Sequence, residues 1–166
     1  MIVAVYPSQN RDPGLEVSGE KIGFYEREFY PLSNFSSFQV EINGVLYPTS
    51  EHAYHAAKFV DTRPDLAEVI RLCRSAHAAF KTAHSYGEFK REDWDEVKIA
   101  IMERILISKA EQNPYVYAKL MDTGDLELIE DSPKDSFWGW GADRQGRNEL
   151  GKAWMKIRQM FNDLPF

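Results

Sequence analysis

Pro48 divides the chain into two hydrophobic rhythms, and that break constrains the fold more than any other feature. Upstream, Phe38-Gln39-Val40-Glu41-Ile42 and Val45-Leu46-Tyr47 flank Asn43-Gly44. The flanks read as strands, and Asn-Gly favours the positive φ angles of a type I′ turn, so the segment predicts a β-hairpin. Downstream the apolar spacing turns helical.

Thr49 or Ser50 is placed to cap a helix that runs to about Val60, with Glu51 in its first turn, where the helix dipole favours negative charge. Pro64 opens a second helix, with Leu66, Val69, Ile70 and Cys73 on one face. Ser75 caps a short third. Asp93, with Glu96 three residues later, resembles a capping box and starts the longest helix, through Trp94, Val97, Ile101 and Ile105 to near Gln112. Asn113-Pro114 ends it and starts the next. A short strand is expected at Leu126 to Ile129, then an irregular loop from Asp131 to Arg147. The final helix opens at Asn148 and buries Leu150, Trp154, Ile157 and Phe161. At the other end, a short strand at Met1–Val5 precedes a loop over residues 7–20, and Ile22 to Glu26 forms a second strand. The fold class is α+β, predominantly helical: a single compact domain over residues 1–166 with a small N-terminal β-hairpin or sheet. A chain of 166 residues leaves little room for two cores.

Charge narrows the partners. The net charge of −6 argues against a protein that grips a long nucleic-acid duplex by neutralising phosphates. An anionic ligand must meet a local positive patch, which favours a small nucleotide-like molecule. Aromatic residues make up 13% of the chain, enough to supply rings for stacking on a flat ligand as well as for the core. Cys73 is the sole cysteine, so no intramolecular disulfide forms. His52 and His55 lack the H-E-x-x-H pattern and a cluster to complete a site, so no metal is expected, and no cofactor. No stretch approaches the roughly 20 apolar residues of a membrane span, and a cytoplasmic location is expected.

Two segments carry the chemistry. On the helix after Pro48, Ala53, Ala56, Ala57 and Val60 fall on one side, and Glu51, Tyr54, His55 and Lys58 on the other. An acid, a base, a phenol and an amine on one stripe make either a solvated face or the lining of a pocket. The second segment, Ser132 through Trp138-Gly139-Trp140-Gly141, continues to Arg144, Gly146, Arg147 and Asn148 at a helix start. Guanidinium groups beside helix N-terminal amides suit a phosphate. The glycine spacing matches neither a P-loop nor a dinucleotide fingerprint.

Together these segments resemble the YbiA/NADAR family over about 140 residues, from Ile22 to Phe161. The resemblance is carried by Phe24-Tyr25 with Leu32-Ser33-Asn34-Phe35 and by Tyr47-Pro48-Thr49-Ser50-Glu51-His52 through Ala57-Lys58-Phe59. Arg91-Glu92-Asp93-Trp94 with Val97-Lys98 follows, then Asp135 through Trp138-Gly139 to Gly146, Asn148, Leu150-Gly151, Met155 and Arg158. The resemblance implies a mainly helical fold and hydrolysis of an N-glycosidic bond between ribose and base in a phosphorylated substrate. Two activities go with the family: destruction of ribosylamino-pyrimidine phosphates from early riboflavin synthesis, and removal of ADP-ribose from guanine in nucleosides or nucleic acid. Glu51, Trp94, Asp135 and Trp138 stand where the family's active-site residues are expected, and Lys58 and Asn148 fall in its signature. Many members carry a Gly-Arg pair where this chain has Ala83-His84.

Cleaving a C1′–N bond builds positive charge on the ribose, which a carboxylate stabilises while a second carboxyl protonates the departing base. Glu51 and Asp135 are the expected pair, facing one pocket. Lys58 opens another route, attack by its amine to give a Schiff base. Trp94, Trp138, Asn34, Tyr54, Arg144, Arg147 and Asn148 are the expected substrate contacts. The competing reading is a non-catalytic module for ADP-ribose or a nucleotide, which needs neither Glu51 nor Lys58.

Overall fold

The computed structural model describes residues 21–25 and 27–165. The strand expected at Met1–Val5 and the loop expected over 7–20 lie outside the described residues, as does Glu26 at the end of the expected second strand. The chain forms two compact units. One is Asn34–Asn113, and the other joins the residues up to Ser33 with those from Pro114 onward.

In the unit Asn34–Asn113, β1 (Val40–Ile42) pairs antiparallel with β2 (Val45–Tyr47). Asn43 and Gly44 both take positive φ, 51° and 80°, which is the backbone of the expected turn. Helix α1 (Ser50–Ala57) is capped by Thr49, whose side chain accepts from the His52 amide. Such a cap is worth about 1 kcal/mol. The helix stops at Ala57, three residues short of the expected Val60, and tight turns follow. Helix α2 (Pro64–Arg71) starts on its proline and buries Leu66, Ala67 and Ile70. Val69 is exposed and Cys73 lies past the helix end, so the buried face is turned from the one the spacing predicted. Helix α3 (Ala76–Ser85) is capped by the Ser75 side chain, which accepts from the Ala78 amide.

Helix α4 (Trp94–Gln112) is the longest, as expected, but it opens without a capping box. The Asp93 carboxylate makes no cap bond; it accepts from Arg91 Nε and Nη2 at 2.6 and 2.9 Å. A guanidinium fork outcompetes a single backbone amide for the same oxygens. Within this unit, α1 packs against α2, α3, α4 and both strands, and α4 packs against β1.

In the other unit, α5 (Pro114–Asp122) leads to a strand at Glu127–Ile129 that pairs in parallel with Lys21–Gly23. Sequence spacing predicted both strands but not their partnership, because a parallel pair formed across most of the chain leaves no local turn signal. A 3-10 turn at Arg27–Leu32, also unforeseen, packs against α5. Helix α6 (Glu149–Asn162) lies on Glu127–Ile129 and buries Leu150, Trp154, Ile157 and Phe161, the four residues expected. The Trp154 indole donates to Leu32 O at 2.8 Å. Gly151 permits the close approach of α6, since a Cβ there would collide with Leu128 O. The architecture is α+β with helix dominant.

Candidate functional site

Every residue of α1 from Ser50 to Ala56 is buried, with α2, α3, α4 and both hairpin strands packed against the helix. The polar stripe is therefore no solvated surface. Buried polar groups must find partners, and here they find one another. His55 Nε2 bonds Glu51 Oε1 at 2.6 Å, and Lys58 Nζ donates to His55 Nδ1 at 3.0 Å. The i,i+4 and i,i+3 spacings on one helix produce both contacts. Glu51 and Lys58 are about 10 Å apart along the axis at 1.5 Å per residue, and His55 spans that gap.

This arrangement fixes the ring's protons. An ammonium can only donate and a carboxylate can only accept, so neutral His55 carries its proton on Nε2 and offers the Nδ1 lone pair to Lys58. Burial holds the His55 pKa below its usual 6.5; the hydrogen bond and charge of Glu51 oppose this, and Lys58 and His84 reinforce it. Burial also lowers Lys58 from 10.5 to about 8, against the attraction of Glu51 and Asp95 and with the repulsion of Lys90 and Lys98. The Lys58 ammonium lies 5.3 Å from the Tyr54 ring centroid and 5.6 Å from that of Trp94. These faces favour the cation, but less than burial disfavours it. A pKa of about 8 leaves roughly one Lys58 in ten as neutral amine at pH 7.

Asn34 braces the start of this helix. Its carbonyl accepts from the Glu51 amide at 3.1 Å, and its Oδ1 accepts from Ser50 Oγ at 3.0 Å. Lys109, fully buried on α4, donates to Ser36 Oγ at 2.9 Å and to Ser50 Oγ at 3.4 Å. Sequence reasoning noted His55 without assigning it a part, and it passed over Lys109. The signals were present: His55 is one turn from both Glu51 and Lys58, and Lys109 continues the apolar row through Ile101 and Ile105. Trp94, expected as a surface for the base, is 4% exposed and packs against Tyr54 with ring centroids 5.1 Å apart. Its place is against the Lys58 amine.

The Asp131–Arg147 loop uses its polar groups differently. Asp135 Oδ1 accepts from the amides of Phe137 and Trp138 at 2.9 and 2.8 Å. Trp138 is half-buried and meets Phe137 edge to face. Arg144 has a φ of 60°, and its Nε lies 3.9 Å from the buried Asp131 carboxylate. Arg147 is exposed, pairs with Glu149 at 2.9 Å and lies over the Phe137 ring. Asn148, at φ 54°, is buried; its Oδ1 accepts from the Glu130 amide and its Nδ2 donates to Leu128 O, both at 2.9 Å. It ties the start of α6 to the strand below without capping the helix. Of the residues the sequence singled out, the structure brings Glu51, Tyr54, Lys58 and Trp94 into one cluster, with Asn34 behind Glu51.

The family model of the NADAR domain matches residues 23–162. The chain belongs to the NADAR family. A riboflavin biosynthesis protein of Vibrio vulnificus is 40% identical over 128 residues, 77% of this NADAR chain, which spans only 34% of that longer protein. The N-glycosidase YbiA of Escherichia coli is 32% identical over 140 residues, covering 83% of this chain and 86% of that one. The NMR structure of E. coli YbiA matches this NADAR fold with a TM-score of 0.78 at 31% identity, over 86% of this chain and 84% of the other. This NADAR protein is an enzyme of the glycosidase type. No helix among the described residues is long and apolar enough to cross a membrane.

Proposed function

We propose that this NADAR protein hydrolyses the bond between ribose and base in a phosphorylated ribosylamino-pyrimidine, in the cytoplasm, using Lys58 as nucleophile and Glu51 as acid. The observation that carries the proposal is the buried line Glu51–His55–Lys58, in which a lysine with a pKa near 8 is held on the same helix as a carboxyl group. A nucleotide-binding module has no need of such a line.

In the proposed reaction, the neutral Lys58 amine adds to C1′ of the ribose. The C1′–N bond breaks, its electron pair stays on the base nitrogen, and Glu51, a carboxylate at the outset, takes up a proton that Nζ loses on addition and passes it to the base. The new C1′–Nζ bond becomes an imine as the C1′–O4′ bond opens and O4′ takes up the second proton lost from Nζ. Water then adds across the imine, releasing the sugar phosphate and restoring Lys58. Two observations support this route over direct attack by water: the lowered Lys58 pKa and the hydrogen bond that points its nitrogen at His55 rather than at a carboxylate. Net charge and the riboflavin name of the Vibrio relative support the small substrate over a modified nucleic acid.

Parallel assays at fixed salt on a ribosylamino-pyrimidine phosphate and on ADP-ribosylated guanine, as nucleoside and in DNA, test the substrate. Faster release from the first is expected; faster release from ADP-ribosylated guanine would overturn the choice. Borohydride is expected to trap a sugar adduct on Lys58, visible by mass, and Lys58→Arg is expected to abolish adduct and turnover together, since a guanidinium stays protonated.

A further inference from the structure

We infer that His55 is the positioning residue that makes Glu51 and Lys58 one working pair, and that it does so only while its ring is neutral. The inference rests on the proposed Lys58 and Glu51 chemistry. His55 is 2% exposed, and both ring nitrogens are engaged, one by each reacting group. Its ring is also fixed by its neighbours: Tyr54 meets it edge to face at 5.1 Å, and Phe80 and His84 of α3 meet it at 5.7 and 5.9 Å. A ring so confined cannot rotate to exchange partners without disturbing three others.

Protonation of His55 changes one contact and keeps the other. Nε2–H still donates to Glu51, now as a salt bridge. Nδ1 gains a proton and turns from acceptor into donor, facing the Lys58 ammonium that was donating to it. Two cations at 3.0 Å in a buried site repel, so Lys58 must leave. The charges that act on this ring are Glu51 from α1, Lys58 at its C-terminal cap and His84 from α3, while Lys58 also feels Lys90 and, from α4, Asp95 and Lys98. His84 is a second imidazole beside this ring, so its replacement belongs in the test.

Glutamine separates position from titration. Its amide can donate to Glu51 and accept from Lys58 as the neutral imidazole does, but it takes up no proton in this range. His55→Gln is expected to keep turnover within about threefold of the parent at pH 8.5, whereas His55→Ala, which removes both contacts, falls by about tenfold or more. In the parent, log turnover is expected to rise with slope one up to the Lys58 pKa of about 8 and to steepen to slope two below pH 6.5. His55→Gln should show slope one throughout, and His84→Asn should leave the steepening in place. Equal losses in the Gln and Ala variants, a steep limb that survives in His55→Gln, or one that vanishes in His84→Asn would each overturn the inference. Should His55→Ala fail to fold by circular dichroism, the profile of His55→Gln decides alone. Borohydride trapping separates the two ideas. No adduct in the parent sinks the lysine chemistry itself, whereas equal trapping rates in the parent and His55→Ala sink only the part given to His55.

Discussion

Helix α1 and the Asp131–Arg147 loop are both dense in polar side chains, and they use them in opposite ways. In α1 side chain meets side chain: Glu51 with His55, and His55 with Lys58. In the loop and at its end, arginines pair with Asp131 and Glu149, but several carboxylate and amide side chains meet backbone. Asp135 takes the Phe137 and Trp138 amides, Asp143 takes the Gln145 amide, and Asn148 serves Glu130 and Leu128. The cause lies in the backbone. A helix satisfies its own amides and carbonyls, which leaves its side chains available for one another. An irregular loop has no ladder, so side chains must satisfy the backbone they belong to. Titratable groups therefore perturb one another on α1, while the loop's carboxylates and amides hold a shape.

The largest expected effect falls on the helix. Glu51→Gln keeps the size of the side chain and an oxygen that can accept from His55, but it has no proton to give the departing base. Turnover is expected to drop by about 10²-fold or more, the scale of losing a positioned acid, with little change in thermal unfolding. Unchanged turnover would move the chemistry off α1 altogether.

The loop should respond in the other currency. Asn148→Ala removes two buried hydrogen bonds to backbone and places alanine at φ 54°, a left-handed conformation that asparagine adopts more readily. A stability loss of about 2–4 kcal/mol is expected from urea unfolding, with turnover of the folded fraction nearly unchanged. A hundredfold loss of turnover without a loss of stability would restore Asn148 to the substrate, as its place in the family signature implies.

Local signals told more about elements than about partners. Asn43-Gly44, Thr49, Pro64, Ser75 and Pro114 each act within a few residues of themselves, and each begins or turns an element where the sequence placed it. The pairing of Lys21–Gly23 with Glu127–Ile129 depends on what packs over both strands, which no short window contains. The same limit applied to α1. Helical spacing put Glu51, Tyr54, His55 and Lys58 on one stripe, yet only tertiary packing buries that stripe and so lowers the Lys58 pKa. Asp93 failed as a cap for a related reason: Arg91 was a better partner two residues away.

The smallest expected effect is the most discriminating. Sequence and family resemblance make Asp135 a candidate second carboxyl for the reaction, while its contacts make it an anchor for the Phe137–Trp138 corner. Asp135→Asn is nearly isosteric and retains an oxygen that can accept from both amides. What it loses is charge, and a hydrogen bond to a charged acceptor exceeds a neutral one by about 1 kcal/mol. As an anchor, Asp135→Asn should cost about 1 kcal/mol in urea unfolding and change turnover by less than about threefold. As an acid or base in the reaction it should cost about 10²-fold in turnover, because an amide can neither give nor take the proton. Measured beside Glu51→Gln under the same conditions, a matching loss would make the loop a second seat of chemistry and end the contrast with α1. A small one would leave the reacting groups on a single helix.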